Sequence, residues 1–257
     1  MRERLSDPDG YGWLAMGEDA LPAAEHWLAP GEATRLAGLR FTKRRNEFLL
    51  RRLVAKRAIA AVSGWPTDPA ALAGIEVRNA ASGAPYVCVD GAPLAVEVSI
   101  TDRAGWAVCV TYPASSHPVG CDLELVEPRT PGFVSDFFTA AEQRLVASRP
   151  VGDERYAVAN LIWSAKESAL KVLRTGLRRD TRTLEVTLAA SRGDGWGALT
   201  VRAVEGPTFA GWWRRDGRFL LTVAADVAAA PPFALGDPGV LAAAEPRHSW
   251  LDRPLHR

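Results

Sequence analysis

The stretch VGCDLEL at positions 119–125 alternates apolar and acidic side chains, and this period of two predicts a β-strand. Because alternate residues of a strand share a face, Asp122 and Glu124 point to one side, while Cys121, Leu123 and Leu125 point to the other. Two carboxylates on one face repel each other unless water solvates them or a cation lies between them. An edge strand facing water and a cation site both explain the pattern, so this stretch alone leaves the two interpretations open.

The residues on the N-terminal side of this strand predict a helix and then a series of short strands. Helical periodicity without proline runs over about residues 32–63 and ends at Gly64-Trp65-Pro66. Strands are predicted at 75–78, 84–89, 95–100 and 106–112, with a turn at 102–105.

The residues on the C-terminal side repeat that order. Helices are predicted around 134–147 and 154–174, and strands at 184–190, 198–204, 209–215 and 218–225. A helix followed by three or four antiparallel strands thus occurs twice, which predicts an α+β fold. We expect a pseudo-twofold pair of similar halves at 1–115 and 116–228, with the ligand site between them. The Ala/Pro-rich tail at 229–257 is expected to run extended over the surface or to be partly disordered.

Composition excludes several classes of protein. The chain has 257 residues, of which 47% are hydrophobic and 24% charged, as in soluble globular proteins. It lacks an apolar run long enough to span a membrane, and its charged start lacks the apolar core of a secretory signal, so we expect a cytoplasmic protein. The three cysteines and four histidines lack zinc-ligand spacing. A net charge of +1 argues against a nucleic-acid partner.

A basic run lies within the first predicted helix. Between positions 40 and 57 the only acid is Glu47, and the cations are Arg40, Lys43, Arg44, Arg45, Arg51, Arg52, Lys56 and Arg57. A solvated helix face and an anion-binding face both explain such a run.

A second polar pattern lies in the stretch WSAKESALK at 163–171. Glu167, Lys171 and Arg174 fall on one stripe of the predicted helix. The stripe could be an intrahelical salt bridge worth about 0.2–0.5 kcal/mol on a wet surface. It could also place Glu167 on a metal ion and a lysine on phosphate oxygens.

The order of these motifs resembles the paired signature of the 4′-phosphopantetheinyl transferases. GCDLE at 120–124 precedes WSAKESALK, and FFTAAE at 137–142 between them is similar to a third motif of the family. LRTGL at 173–177 looks like the family's glycine turn with its first glycine missing. The resemblance extends over roughly residues 35–225 and is strongest to the two-half monomers typified by the enzyme that activates surfactin synthetase.

The resemblance implies a reaction and a set of site residues. Coenzyme A would be the co-substrate, and an acyl or peptidyl carrier protein the partner. Mg²⁺, or Mn²⁺, would be bound by Asp122, Glu124 and Glu167. Glu167, Asp122, Lys171 and Glu142 would be catalytic, with Glu167 the first candidate for the general base and Glu142 the second. The coenzyme would be held by Arg45, Arg52, Lys56, Lys166 and Lys171.

Two departures from the family pattern fall on the coenzyme side. Asp102 stands where the family usually has a histidine that helps to hold the coenzyme phosphate, and it would repel that phosphate unless Arg103 or a neighbour compensates. Ala84 stands where the family has a lysine. These departures leave open a non-catalytic relative that binds coenzyme A or a carrier protein. An enzyme of another class on this scaffold and a plain anion-binding module also stay open.

Overall fold

Two antiparallel sheets packed face to face, each covered on its outer side by a long helix, form the framework of the protein. The computed structural model describes residues 10–174 and 179–247. The helices, in chain order, are α1 Pro30–Ala37, α2 Thr42–Ser63, α3 Pro69–Ala73, α4 Pro131–Phe137, α5 Ala140–Ala147 and α6 Asp153–Val172.

The strands fall into three sheets. They are β1 Gly12–Gly17, β2 Ile75–Asn79, β3 Pro85–Val89, β4 Ala92–Pro93, β5 Val96–Arg103, β6 Trp106–Pro113, β7 Val119–Leu125, β8 Leu184–Ser191, β9 Trp196–Ala203, β10 Thr208–Asp216, β11 Phe219–Ala225 and β12 Phe233–Ala234. The strand orders are β12-β1-β6-β5, β7-β11-β10-β9-β8 and β2-β3-β4. The predicted α+β class with antiparallel sheets is therefore confirmed.

The packing of each half follows from the alternation of its strands. Helix α2 covers one face of the first sheet, where Leu53 and Ile59 share a core with Val98 and Cys109. Helix α6 covers one face of the second sheet, where Ala165 and Ala169 share a core with Ala224.

The remaining faces of the two sheets pack on each other, and there Val108 and Val110 share a core with Cys121, Leu123 and Val223. Because Cys121 and Leu123 point into this inter-sheet core, Asp122 and Glu124 point toward α6.

A buried ion pair occurs at the same place in both halves. In the N half, Lys56 Nζ lies 2.5 Å from Glu32 Oε2, and Glu32 Oε1 accepts a hydrogen bond from the Val77 backbone N–H. Lys56 also donates to the carbonyl oxygens of Trp27 and Leu72.

The C half repeats each of these contacts. Lys166 Nζ lies 2.6 Å from Glu142 Oε2, and Glu142 Oε1 accepts from the Val186 backbone N–H. Lys166 donates to the carbonyl oxygens of Phe137 and Thr181. The same number of positions separates glutamate from lysine in each half. Since no packing rule requires such a match, the two halves are related by a pseudo-twofold repeat of one α+β unit.

Several predicted boundaries differ from those of the structure. The helix predicted at 32–63 is two helices, because the chain leaves the helical conformation between Gly38 and Phe41. The helix predicted at 134–147 is likewise divided at Phe138 and Thr139, where Thr139 caps α5 in a capping box with Glu142. The turn predicted at 102–105 is shorter. Strand β5 continues to Arg103, and the hairpin turns on Ala104 and Gly105, both at positive φ.

The described part of the tail packs onto the fold. Strand β12 pairs with β1 in parallel, and Leu241 is fully buried in the inter-sheet core. The tail therefore returns from the C half to the N-terminal sheet, unlike the surface course predicted for it. Within the described ranges, none of the helices has the length and apolar character needed to cross a membrane.

Candidate functional site

Close contact between β7 and α6 brings the two main motifs together. A Cβ atom at Gly120 would lie 2.0 Å from the Ser168 carbonyl oxygen, so only glycine allows this approach. Behind the contact, the hydroxyl groups of Ser164 and Ser168 lie 2.8 and 2.7 Å from Thr222 Oγ1 on β11. The spacing of α6 from the sheet is thus set by a small residue and by a buried polar network.

Lys171 joins α6 to the acidic face of β7. Its Nζ donates to the Cys121 carbonyl oxygen at 2.7 Å and to Asp122 Oδ1 at 3.0 Å. Burial is the largest single effect on the pKa of Lys171 and lowers it, but Asp122 and the other neighbouring groups together raise the net pKa. Thr101 Oγ1 donates to the same Asp122 oxygen at 3.3 Å. Asp122 is therefore held from both halves.

Glu167 lies one helical turn from Lys171 on the same face of α6. Burial raises the pKa of Glu167 to about 7, and the negative charge of Asp122 acts in the same direction. Glu167 can therefore exist in both protonation states near neutral pH, as a proton acceptor requires.

Glu124 is held by two arginines. Its Oε2 lies 3.1 Å from Arg103 Nε and 3.0 Å from Arg129 Nη2, although neither contact has the geometry of a hydrogen bond. Burial raises the pKa of Glu124, Asp122 raises it further, and the two guanidinium groups lower it. Arg103 also pairs with Glu127, and Arg129 Nε donates to Asn160 Oδ1 at 2.6 Å.

Each of the three predicted metal ligands presents one oxygen atom without a hydrogen bond, although the Glu124 oxygen is ion-paired with two arginines. Asp122 Oδ2, Glu124 Oε2 and Glu167 Oε1 are buried and accept no hydrogen bond. Buried carboxylate oxygens in this condition suit a hard divalent cation, and burial together with the charge of Asp122 raises the pKa of both Glu124 and Glu167. Across residues 10–174 and 179–247, however, no group of three or more His, Cys, Asp or Glu side chains is arranged to hold a metal ion. The donor types fit Mg²⁺, and a shared ion stays a prediction.

A cleft of about 250 Å³ opens beside Lys171, between the two halves. Its walls come from the β2–β3 loop and the edge strand β5 on one side, and from β7 and α6 on the other. The lining residues are Ser82, Gly83, Ala84, Pro85, Val98, Ser99, Ile100, Tyr112, Pro118, Val119, Leu170, Lys171 and Arg174.

Comparison with known proteins identifies the half that carries this site. Residues 118–224 match the family model described as the 4′-phosphopantetheinyl transferase superfamily. This match spans less than half of the chain. The matched residues include Asp122, Glu124, Glu167 and Lys171, and they form nearly all of the C half.

Solved structures of holo-(acyl-carrier-protein) synthases are similar to parts of the chain. One from Bacillus anthracis str. Ames, in complex with CoA (3′,5′-ADP), is 24% identical and has a TM-score of 0.34; the match covers 40% of this chain and 93% of that one. One from Neisseria meningitidis is 16% identical and has a TM-score of 0.33, and the match covers 40% of this chain and 94% of that one. One from Thermotoga maritima is 18% identical and has a TM-score of 0.34, and the match covers 55% of this chain and 91% of that one. None of the curated proteins matches this chain.

The structure corrects the sequence-based roles of Lys166, Glu142 and Lys56. Both lysines are 0% exposed, and each ammonium group is fully engaged by one glutamate and two carbonyl oxygens. Glu142 is buried between Lys166 and two backbone N–H groups. A lysine enclosed in this way cannot meet a bound pyrophosphate, and Glu142 cannot reach a substrate hydroxyl. In this chain the three residues stabilise the two halves.

Arg45 and Arg52 lie in the N half with partners of their own. Arg52 is buried, lies 3.7 Å from Glu32 and donates to Asn79 Oδ1 at 2.9 Å. Arg45 donates to the Leu36 carbonyl oxygen at 2.8 Å and lies 3.3 Å from Glu25. Neither side chain lines the cleft, so a coenzyme contact for Arg45 or Arg52 stays a prediction.

The compensation predicted for Asp102 comes from another arginine. Arg103, the first candidate, pairs with Glu124 and Glu127. Arg51 of α2 takes its place, with Nη1 at 3.2 Å from Asp102 Oδ1.

Sequence reasoning also missed the residues of β5 that attach the two halves. Ser99 Oγ accepts from the Cys121 backbone N–H at 2.9 Å, and Thr101 Oγ1 accepts from that of Leu123 at 3.2 Å. The sequence signal for these residues is the alternation of the hydroxyl side chains Ser99 and Thr101 with the apolar side chains Val98 and Ile100. Of the predicted glycine turn at 173–177, only Leu173 and Arg174 lie within the described residues.

Proposed function

We propose that this chain transfers the 4′-phosphopantetheine arm of coenzyme A to a serine of an acyl or peptidyl carrier protein. The observation that carries the proposal is the convergence of Asp122, Glu167 and Lys171 where α6 meets β7, within the part of the chain that matches the superfamily. Lys171 also lines the cleft. The two-half organisation supports a member of the surfactin-synthetase-activating type that acts as a monomer.

The reaction forms one bond and breaks one bond at phosphorus. The serine oxygen attacks the β-phosphorus of coenzyme A, the bond to the bridging oxygen breaks, and 3′,5′-adenosine bisphosphate leaves. Negative charge grows on the leaving phosphate and on the non-bridging oxygens. Lys171 is positioned by the Cys121 carbonyl oxygen to face this charge, and it stabilises the transition state more than the ground state.

Glu167 is our candidate for the group that accepts the serine proton. Its pKa of about 7 allows it to be ionised before the attack and protonated after it. The other sequence-based candidate, Glu142, is enclosed in the core with Lys166.

We propose that Mg²⁺ is bound by Asp122 and Glu167, with Glu124 joining if its carboxylate leaves Arg103 and Arg129. The ion would act as a Lewis acid toward the diphosphate oxygens. The oxygen atoms of Asp122 and Glu167 that accept no hydrogen bond support this assignment, because a cation would give each of them the partner that the protein does not supply.

The test is a mass measurement on carrier proteins. Purified apo forms of one acyl and one peptidyl carrier are incubated with the chain, coenzyme A and Mg²⁺. We expect one carrier or both to gain the mass of one phosphopantetheine group, with release of one equivalent of 3′,5′-adenosine bisphosphate. A carrier with its acceptor serine changed to alanine should gain nothing. Binding of coenzyme A without transfer to either carrier would favour the non-catalytic relative instead.

A further inference from the structure

Asp102 brings a fourth carboxylate to the edge of the site, from the N half. It follows Ile100 by two residues in β5, so its side chain leaves the strand on the same face, about 7 Å further along. Ile100 lines the cleft. Asp102 also lies within electrostatic range of Lys171 and Asp122. Asp102 and Arg51 do not themselves line the cleft, so Asp102 lies next to its β5 wall, on the side of the acidic cluster.

Two contacts orient the side chain of Arg51, one with Glu47 and one with Asp102. Its Nε donates to the Glu47 carbonyl oxygen one turn earlier in α2, at 3.2 Å, while Nη1 faces Asp102. Within the described residues, the Nη2 group of Arg51 has no partner. The side chain of Arg51 is 41% exposed, against 20% for Asp102, so Arg51 is the more accessible member of the pair.

Two neighbouring cations of α2 are less suited to meet an anion here. Lys56 is enclosed, and Arg52 is buried beside Glu32. On the opposite wall, Arg174 lies 3.6 Å from Glu97. A guanidinium group that is oriented by a carboxylate and still exposes one edge is well formed to bind phosphate, since two parallel N–H groups match two phosphate oxygens.

We propose that Arg51, positioned by Asp102, binds a phosphate group of the coenzyme donor. This rests on the proposed function. Asp102 is then a positioning residue that holds the guanidinium group beside the cleft, and it does not itself contact the donor. The phosphate is either the 3′-phosphate of the nucleotide or the diphosphate, and both have the same chemistry.

The test measures donor binding separately from transfer. Calorimetric titration of coenzyme A into the full chain is carried out with the wild type and with Arg51→Gln, Arg51→Lys and Asp102→Asn. We expect Arg51→Gln to weaken binding by about tenfold or more, because a charge-assisted contact is lost. Arg51→Lys should recover part of the loss, since lysine keeps the charge but not the paired N–H groups. Arg202→Gln is the matched control, because Arg202 is also exposed and paired with a carboxylate, Glu185, but on the outer strands β9 and β8.

The positioning role has its own readout. Asp102→Asn should weaken binding by itself, and the double variant with Arg51→Gln should bind no more weakly than Arg51→Gln alone. Titration of 3′-dephospho-coenzyme A identifies the phosphate. The Arg51→Gln penalty disappears if the 3′-phosphate is the target, and it persists if the diphosphate is.

Two results would overturn the inference. Wild-type affinity in Arg51→Gln would exclude Arg51 as a phosphate ligand, and tighter binding in Asp102→Asn would make Asp102 a competitor of the donor. A wild type that binds coenzyme A through Arg51 but modifies no carrier protein would instead refute only the proposed function.

Discussion

Lys166 Nζ lies 2.6 Å from Glu142 Oε2 in the core of the C half. In the chain, Lys166 directly precedes the site residue Glu167. Breaking a buried ion pair leaves one charge without compensation and typically costs about 3–5 kcal/mol. We therefore expect Lys166→Met to lower the free energy of unfolding strongly, and Glu142→Gln with Lys166→Met to recover most of that loss. Urea unfolding measures both.

The N half supplies the matched control for this prediction. Lys56→Met should have the same effect as Lys166→Met, because Lys56 has equivalent contacts with Glu32. A Lys166→Met protein of normal stability with a raised KM for coenzyme A would instead place Lys166 on the donor.

Gly120 sets the distance between β7 and α6. A methyl group there would meet the Ser168 carbonyl oxygen at 2.0 Å, so Gly120→Ala must push α6 away and separate Lys171 from Asp122. We expect a loss of about 1–3 kcal/mol in stability, measured by thermal unfolding, and a large fall in transfer. Gly132→Ala is the control, since the nearest atom to its added methyl group lies 3.9 Å away. Equal behaviour of the two variants would contradict the close contact.

The stability of the metal-free protein should depend on pH through Glu167. Its pKa rises from 4.5 to about 7 on folding, so between these values the folded state holds a proton that the unfolded state has lost. Stability therefore falls as pH rises through this window, by an amount on the order of 3 kcal/mol. Thermal unfolding from pH 4 to 8 should show a smaller fall for Glu167→Gln than for the wild type. Parallel curves for the two proteins would mean that Glu167 is not buried beside Asp122.

The sequence predicted the elements better than the orientation of single side chains. The alternation at 119–125 predicts β7 with its observed ends, whereas the contact between Lys171 and Asp122 is known only from the folded chain. Helical spacing could not tell whether Lys166 or Lys171 faces the cleft, because the answer depends on which neighbours supply carbonyl oxygens. Composition predicts a turn at Asp102, whereas the structure keeps Asp102 in β5. Composition could not predict the shorter hairpin, because it depends on positive φ at Ala104, and alanine seldom adopts positive φ.

The arginines around Glu124 could not be predicted either. Arg103 and Arg129 come from segments without periodicity or motif, and only the folded chain brings both to one carboxylate oxygen. Both arginines lower the pKa of Glu124, against the effects of burial and of Asp122.

The most direct test compares carrier modification and Mn²⁺ binding in the wild type, Asp122→Asn and Glu167→Gln. Transfer is followed by the mass of the carrier protein, and Mn²⁺ binding by its paramagnetic resonance signal in the presence of coenzyme A. We predict that each variant stays folded, loses transfer by at least about a hundredfold and binds Mn²⁺ at least about tenfold more weakly. Full turnover and unchanged Mn²⁺ binding by Glu167→Gln would contradict the account.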